Sequence, residues 1–167
     1  TIGLSPESSR LVLQCDDISG KGMGPVVTML REYFWMRHPT GGREFESSWA
    51  SLLNRLRRVE DPRTEESLTE LKAAAPALRR LMGLPSGSGV FDSLEPAQRY
   101  SNTVFAVKAF LKSLALISPL VLAVEDLHWA DQDTREVLET LLRRLEGFPL
   151  GLLVTARPED DGSYSEL

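Results

Sequence analysis

The sequence predicts an α/β domain built on a parallel sheet, and three features lead there. Residues 120–124 and 150–154 are apolar runs, each ending at polar residues. One amphipathic helical segment separates them, which makes the stretch a strand–helix–strand unit. Ahead of it, residues 25–116 repeat apolar side chains at helical spacing, so a helical region follows a first short strand.

That first strand is the leucine- and valine-rich run 10–14. Residues 16–24 carry three glycines and two acids, which is loop chemistry. Pro25 suits the first turn of a helix, and Val26, Val27, Leu30 and Phe34 recur on one face. Pro39-Thr40-Gly41-Gly42 ends that segment. A second helix is predicted over 45–58, with Trp49, Leu52, Leu53 and Leu56 inward. The third, over 67–82, turns Leu68, Leu71, Ala75, Leu78, Leu81 and Met82 inward, and Pro76 is placed to kink or split it. Residues 83–89 read as a surface loop. A long helix over 95–116 is apolar through Phe105, Val107, Phe110, Leu111 and Leu114, and Ser118-Pro119 ends it.

The run 120–124 suits a strand covered on both faces. After Glu125-Asp126, Asp131 or Asp133 can cap the next helix; Asp133 with Glu136 has capping-box spacing. That helix carries Val137, Leu138, Leu141, Leu142 and Leu145, and Gly147 closes it. Run 150–154 follows. The two strands of such a unit lie parallel with a right-handed crossover. Ligands of such sheets bind at the carboxyl ends of the strands. Glu125, Asp126 and Arg157 project from that edge.

The bulk numbers set limits. Of 167 residues, 42% are apolar and 26% charged, which is ordinary for a globular chain. A net charge of −5 argues against nucleic-acid binding. Basic pairs such as Arg57-Arg58 stand among acids and read as solvated helix faces. Cys15 is the single cysteine, which excludes an internal disulfide and fits a reducing, cytoplasmic setting. No stretch is long and apolar enough to span a membrane, and no signal peptide is visible. Both ends read as cuts through a longer protein.

Glu125-Asp126 is the first candidate for chemistry. A nucleoside triphosphate needs Mg²⁺ held by a carboxylate, often through water, and a second carboxylate can orient the attacking water. The pair can equally cap the strand end. His128 can sense a γ-phosphate or serve structurally, Trp129 can pack the turn, and Arg157 can either contact a γ-phosphate or pair with Glu159 or Asp160. Residues and spacing alone leave these alternatives open.

The ordered segment Val121-Leu122-Ala123-Val124-Glu125-Asp126-Leu127-His128-Trp129-Ala130-Asp131, with Leu152-Leu153-Val154-Thr155-Ala156-Arg157-Pro158-Glu159 one helix later, resembles the STAND class of AAA-like P-loop ATPases. These are the ATPase modules of LuxR/MalT-type regulators and of bacterial proteins that join such a module to a cyclase or protein kinase. The resemblance is specific over 119–159 and looser over 10–116. It implies a three-layer P-loop NTPase-like core with a parallel sheet and an inserted helical region, with the whole of 1–167 as part of one ATPase domain. It implies ATP and Mg²⁺ as cofactors, and Glu125 at the Walker B position that serves Mg²⁺ through water. Asp126 takes the neighbouring catalytic acid position, and Arg157 the sensor 1 position. His128 is a second candidate for nucleotide contact.

The departure lies upstream. The phosphate-binding loop G-x-x-x-x-G-K-[ST] is absent. Gly20-Lys21 is the sole glycine–lysine step, Cys15 stands where the first glycine belongs and Gly22 where the hydroxyl belongs. Run 10–14 therefore reads as the family's second strand, with the true loop before Thr1; a degenerate loop at Cys15–Gly22 is the alternative. The expectation is a module of a larger signalling switch, with a fused or associated cyclase, kinase or DNA-binding output domain and self-association in the ATP-loaded state. The competing reading is an ATPase-shaped interaction scaffold without catalysis.

Overall fold

The computed structural model describes residues 9–16, 22–36, 41–143 and 147–158. The chain divides into two compact units, one of Thr1–Leu30 with Ser118–Leu167 and one of Arg31–Ile117.

The first unit holds the sheet. Strands β1 (Ser9–Gln14), β2 (Leu120–Glu125) and β3 (Leu150–Val154) lie in the order β1-β2-β3, parallel throughout. The register aligns Leu13 with Val124 and Gln14 with Glu125, and Val124 in turn with Val154. Helix α6 (Gln132–Leu142) connects β2 to β3. Its Leu138, Leu141 and Leu142 share a small apolar cavity of about 120 Å³ with Leu122, Leu150 and Leu152, so α6 backs one sheet face. Leu120, Leu122, Ala123 and Val124 are buried, as a central strand requires. β3 is less covered than β2: Leu153 is 45% and Val154 37% exposed. As the outer strand of the described sheet it has a neighbour on one side only.

Asp131, not Asp133, is the N-cap of α6. Its Oδ1 accepts from Thr134 N at 2.6 Å, satisfying one of the amides that a helix start leaves unpaired. The expected Asp133–Glu136 box is displaced because Asp131 already occupies the extended cap position (φ −66°, ψ 161°). The Asp131 Oδ2 accepts from Gly24 N at 3.2 Å, so one carboxylate ties the starts of α6 and of α1 (Gly24–Tyr33). The helix ends at Leu142 with Arg143 as its C-cap, earlier than Gly147. Leu145 lies outside the described residues.

The second unit is helical. Helices α2 (Gly42–Leu56), α3 (Thr64–Leu81), α4 (Gly89–Asp92) and α5 (Pro96–Ile117) follow in order, and α3 lies along α5. A partly buried ion pair, Lys112 Nζ to Glu70 Oε2 at 2.8 Å, joins those two helices. The aromatic centre is Phe34, Phe45, Trp49 and Phe110, with the Phe34 ring 4.8 Å from Phe45 and 5.6 Å from Phe110. Pro76 neither splits nor ends α3. The carbonyl it leaves without a donor belongs to Lys72, an exposed residue that water can serve. Ala74 and Ala77 are buried where Ala75 was expected, and Phe105 of α5 is 41% exposed rather than inward. The loop after α3 contains the short α4, capped by Ser88 Oγ accepting from Phe91 N at 3.3 Å.

Two helices end in the same hydrogen-bond pattern. After α3, Leu84 N donates to Arg79 O at 2.9 Å and Gly83 N to Arg80 O at 3.1 Å, with Gly83 left-handed at φ +85°. After α1, Met36 N donates to Arg31 O at 2.8 Å and Trp35 N to Glu32 O at 3.1 Å. The left-handed position there is filled by Trp35, at φ 56°. Glycine suits that position; a Cβ there costs about 1–2 kcal/mol.

Candidate functional site at the strand ends

The site forms where β2 and β3 run out. β2 ends on Glu125, and Asp126 then takes a left-handed conformation (φ 56°, ψ 47°) that aspartate tolerates better than most residues. This reverses the chain into a single 3-10 turn, Leu127–Trp129, ahead of α6. Because β2 and β3 are parallel and Val124 faces Val154, the residues after each strand leave the sheet on one rim.

Main-chain bonds continue the pairing past the strands. Thr155 N donates to Val124 O at 2.9 Å and Leu127 N to Thr155 O at 2.9 Å, while on the other side Cys15 N donates to Glu125 O at 2.9 Å. Asp126 N donates to the Thr155 hydroxyl at 3.1 Å. Arg157 N donates to His128 Nδ1 at 3.4 Å, which leaves the His128 proton on Nε2. That Nε2 is enclosed and meets no hydrogen-bond partner among the described residues. Glu125, Asp126, His128 and the backbone of Arg157 thus gather on one rim, and the Arg157 side chain is exposed. Glu159 and Asp160, the alternative partners of Arg157, lie outside the described residues, as do Lys21 and most of the 15–22 loop.

Both acids are held by β1. The Arg10 guanidinium meets Glu125 Oε1 at 3.1 Å, an exposed pair of small energetic weight. Gln14 Nε2 donates to Asp126 Oδ2 at 3.1 Å. Sequence reasoning missed Arg10 and Gln14, because only the register places Gln14 opposite Glu125. Thr155 stood inside the Thr-x-Arg-Pro phrase, but its hydroxyl contact could not be read from it.

Cys15 is buried, and burial pushes its pKa up to about 11, with the charges of Asp131, Asp126 and Asp16 adding to that rise and Arg135 opposing it. Among the described residues no group of three or more His, Cys, Asp or Glu side chains could cage a metal. Two hard carboxylates at a strand end nevertheless suit Mg²⁺, which binds through one or two carboxylates and completes its shell with water and substrate phosphates.

The comparisons with known proteins bear on this arrangement. The model of the AAA ATPase domain family matches residues 28–154, which takes in most of the chain, including β2, the acid pair and β3. Among curated proteins, an uncharacterized protein of Rhizobium meliloti (strain 1021) is 39% identical over 56 residues, covering 32% of this chain and 5% of that relative. The matched stretch is therefore a small part of a much longer protein. No solved structure matches.

Proposed function

The chain belongs to the AAA ATPase domain family, and from that membership we propose that it forms the catalytic-acid and sensor part of an ATP-driven switch module in a larger regulator of the STAND class. The observation that carries this reading is the shared rim, where two parallel strands bring Glu125-Asp126 and the Thr155–Arg157 segment together.

In this proposal Glu125 would serve Mg²⁺ through a metal-bound water. When bound, that ion would neutralise developing phosphate charge. Asp126 orients the attacking water by accepting its proton, and Gln14 and Thr155 fix the direction of its side chain and backbone. Arg157 reaches the γ-phosphate, and His128 holds the Arg157 backbone in place. The phosphate-binding loop is supplied by polypeptide outside residues 1–167. The output domain lies outside as well, and ATP-loaded modules self-associate.

One observation favours a second reading, an ATPase-shaped scaffold. Arg10 places a positive charge on Glu125, where a metal-bound water would otherwise sit. One measurement tests the position of the phosphate loop and a second separates the readings. Isolated residues 1–167 titrated with Mg·ATP in a calorimeter should bind more weakly than about 1 mM, under about 4 kcal/mol; micromolar binding would sink the view that the phosphate loop lies elsewhere. In a longer polypeptide carrying that loop, ATP should turn over and Glu125→Gln should weaken its Mg²⁺ dependence. No turnover there would leave the scaffold.

A further inference from the structure

A second site lies within the helical unit, and none of its wall residues belongs to the rim. A cavity of about 480 Å³ opens between the end of α1 and one face of α2, a volume in the range of small-molecule sites. Glu32, Tyr33, Trp35, Ser51, Leu52 and Arg55 are among its walls.

Three features distinguish it from a packing gap. The first is Trp35. Its left-handed backbone sits where a helix end prefers glycine, and the indole stands 74% exposed at the cavity. A bulky residue kept in a strained conformation points to a role that the fold itself does not require. The second is a pair of charges. Glu32 and Arg55 line the same cavity, yet neither makes an ion pair within 4.0 Å with the other or with any described residue. Opposite charges that share a cavity wall without closing on each other can each take one end of a ligand. The third is Tyr33. Its ring lines the cavity together with Arg55, and burial pushes its phenol pKa up while the Arg55 charge pulls it down.

We propose that this cavity binds a small zwitterion with an aromatic body, of the amino-acid class. Its carboxylate pairs with Arg55 and its ammonium with Glu32. Its ring packs on Trp35 and Tyr33, and the Ser51 hydroxyl is available to either charged end. The inference does not depend on nucleotide binding at the rim.

Calorimetry on the full chain with three probes tests it. L-phenylalanine carries both charges, phenethylamine only the cation and 3-phenylpropionate only the anion. L-phenylalanine should bind saturably, and each single-charge analogue at least about tenfold more weakly. Arg55→Gln and Glu32→Gln should each weaken L-phenylalanine about tenfold. Arg55→Gln should leave phenethylamine unaffected, and Glu32→Gln should leave 3-phenylpropionate unaffected. Trp35→Gly should abolish binding while Tm holds or rises, which separates lost contact from lost fold. Equal affinity for the three probes, retained binding in Trp35→Gly, or no saturation by about 10 mM L-phenylalanine would overturn the proposal.

Discussion

Gln14 Nε2 donates to Asp126 Oδ2 at 3.1 Å, so the strand beside the acid strand holds the second acid of the pair. Asp126 is also held through its backbone, by its left-handed turn and by the Thr155 hydroxyl. A carboxylate held by one neighbouring strand, on a backbone fixed by the segment after the other, needs little reorganisation to orient a water molecule.

Asp126→Asn keeps the shape and the Thr155 contact but removes the proton acceptor. ATP turnover in a polypeptide that joins this domain to a phosphate-binding loop should fall about 10²-fold or more, with nucleotide affinity nearly unchanged. Steady-state hydrolysis with a parallel binding titration checks both halves. Undiminished turnover would remove Asp126 from the catalytic role.

Gln14→Ala should act in the same direction but less strongly. The contact is exposed and neutral on its donor side, so global stability should change by less than about 1 kcal/mol in urea melts. Turnover should fall several-fold, and Gln14→Glu, which sets a negative charge against Asp126, should lower it further.

The Cys15 thiol should be inert in the folded chain. Its pKa is raised from 9.0 to about 11, so it stays protonated at neutral pH and is buried besides. Iodoacetamide at pH 8 should label the urea-unfolded chain and spare the native one. The raised pKa also fixes the sign of a stability effect: the folded state retains the proton longer than the unfolded state. This contribution is complete below pH 9 and is lost as pH rises toward 11. Denaturant midpoints measured between pH 8 and pH 11 should therefore fall, and Cys15→Ala should flatten that fall.

Asp131→Ala should cost about 1–2 kcal/mol, because one carboxylate serves both the N-terminus of α6 and the amide of Gly24. Asp131→Asn, which still accepts at the cap, should recover more than half of the loss. Equal destabilisation by both substitutions would mean that charge, not acceptance, carries the effect.

The strands and most of the helices were legible because their signals are local. Residues 10–14, 120–124 and 150–154 are apolar runs with turn chemistry after them, and each became a strand. The placement of Glu125 and Asp126 at a strand end followed from the abrupt change of polarity after Val124. Other features depend on contacts that no local pattern encodes. Gln14 is a polar residue at the end of an apolar run until the register sets it beside the acids. Asp131 and Asp133 are equivalent as caps until the backbone chooses one. Trp35 sits in a helix-ending pattern that sequence reading reserves for glycine, so its conformation was unreadable. Phe105 fits a helical apolar pattern and is exposed nonetheless, since periodicity counts faces but not which of them meets a neighbour.

The strand order carries a consequence for how the chain is made. Among the described residues β1 pairs with β2, and 109 positions separate Ser9 from Ser118, whose hydroxyls meet at 2.8 Å. The intervening Arg31–Ile117 is a contiguous unit rich in near-neighbour helical contacts, which are quick to form. On the ribosome β1 therefore waits for β2 until the whole helical segment has been synthesised. Until then the edge of β1 that carries Leu11, Val12 and Leu13 into register with β2 lacks that partner, and a chaperone that binds extended apolar segments would find a target there.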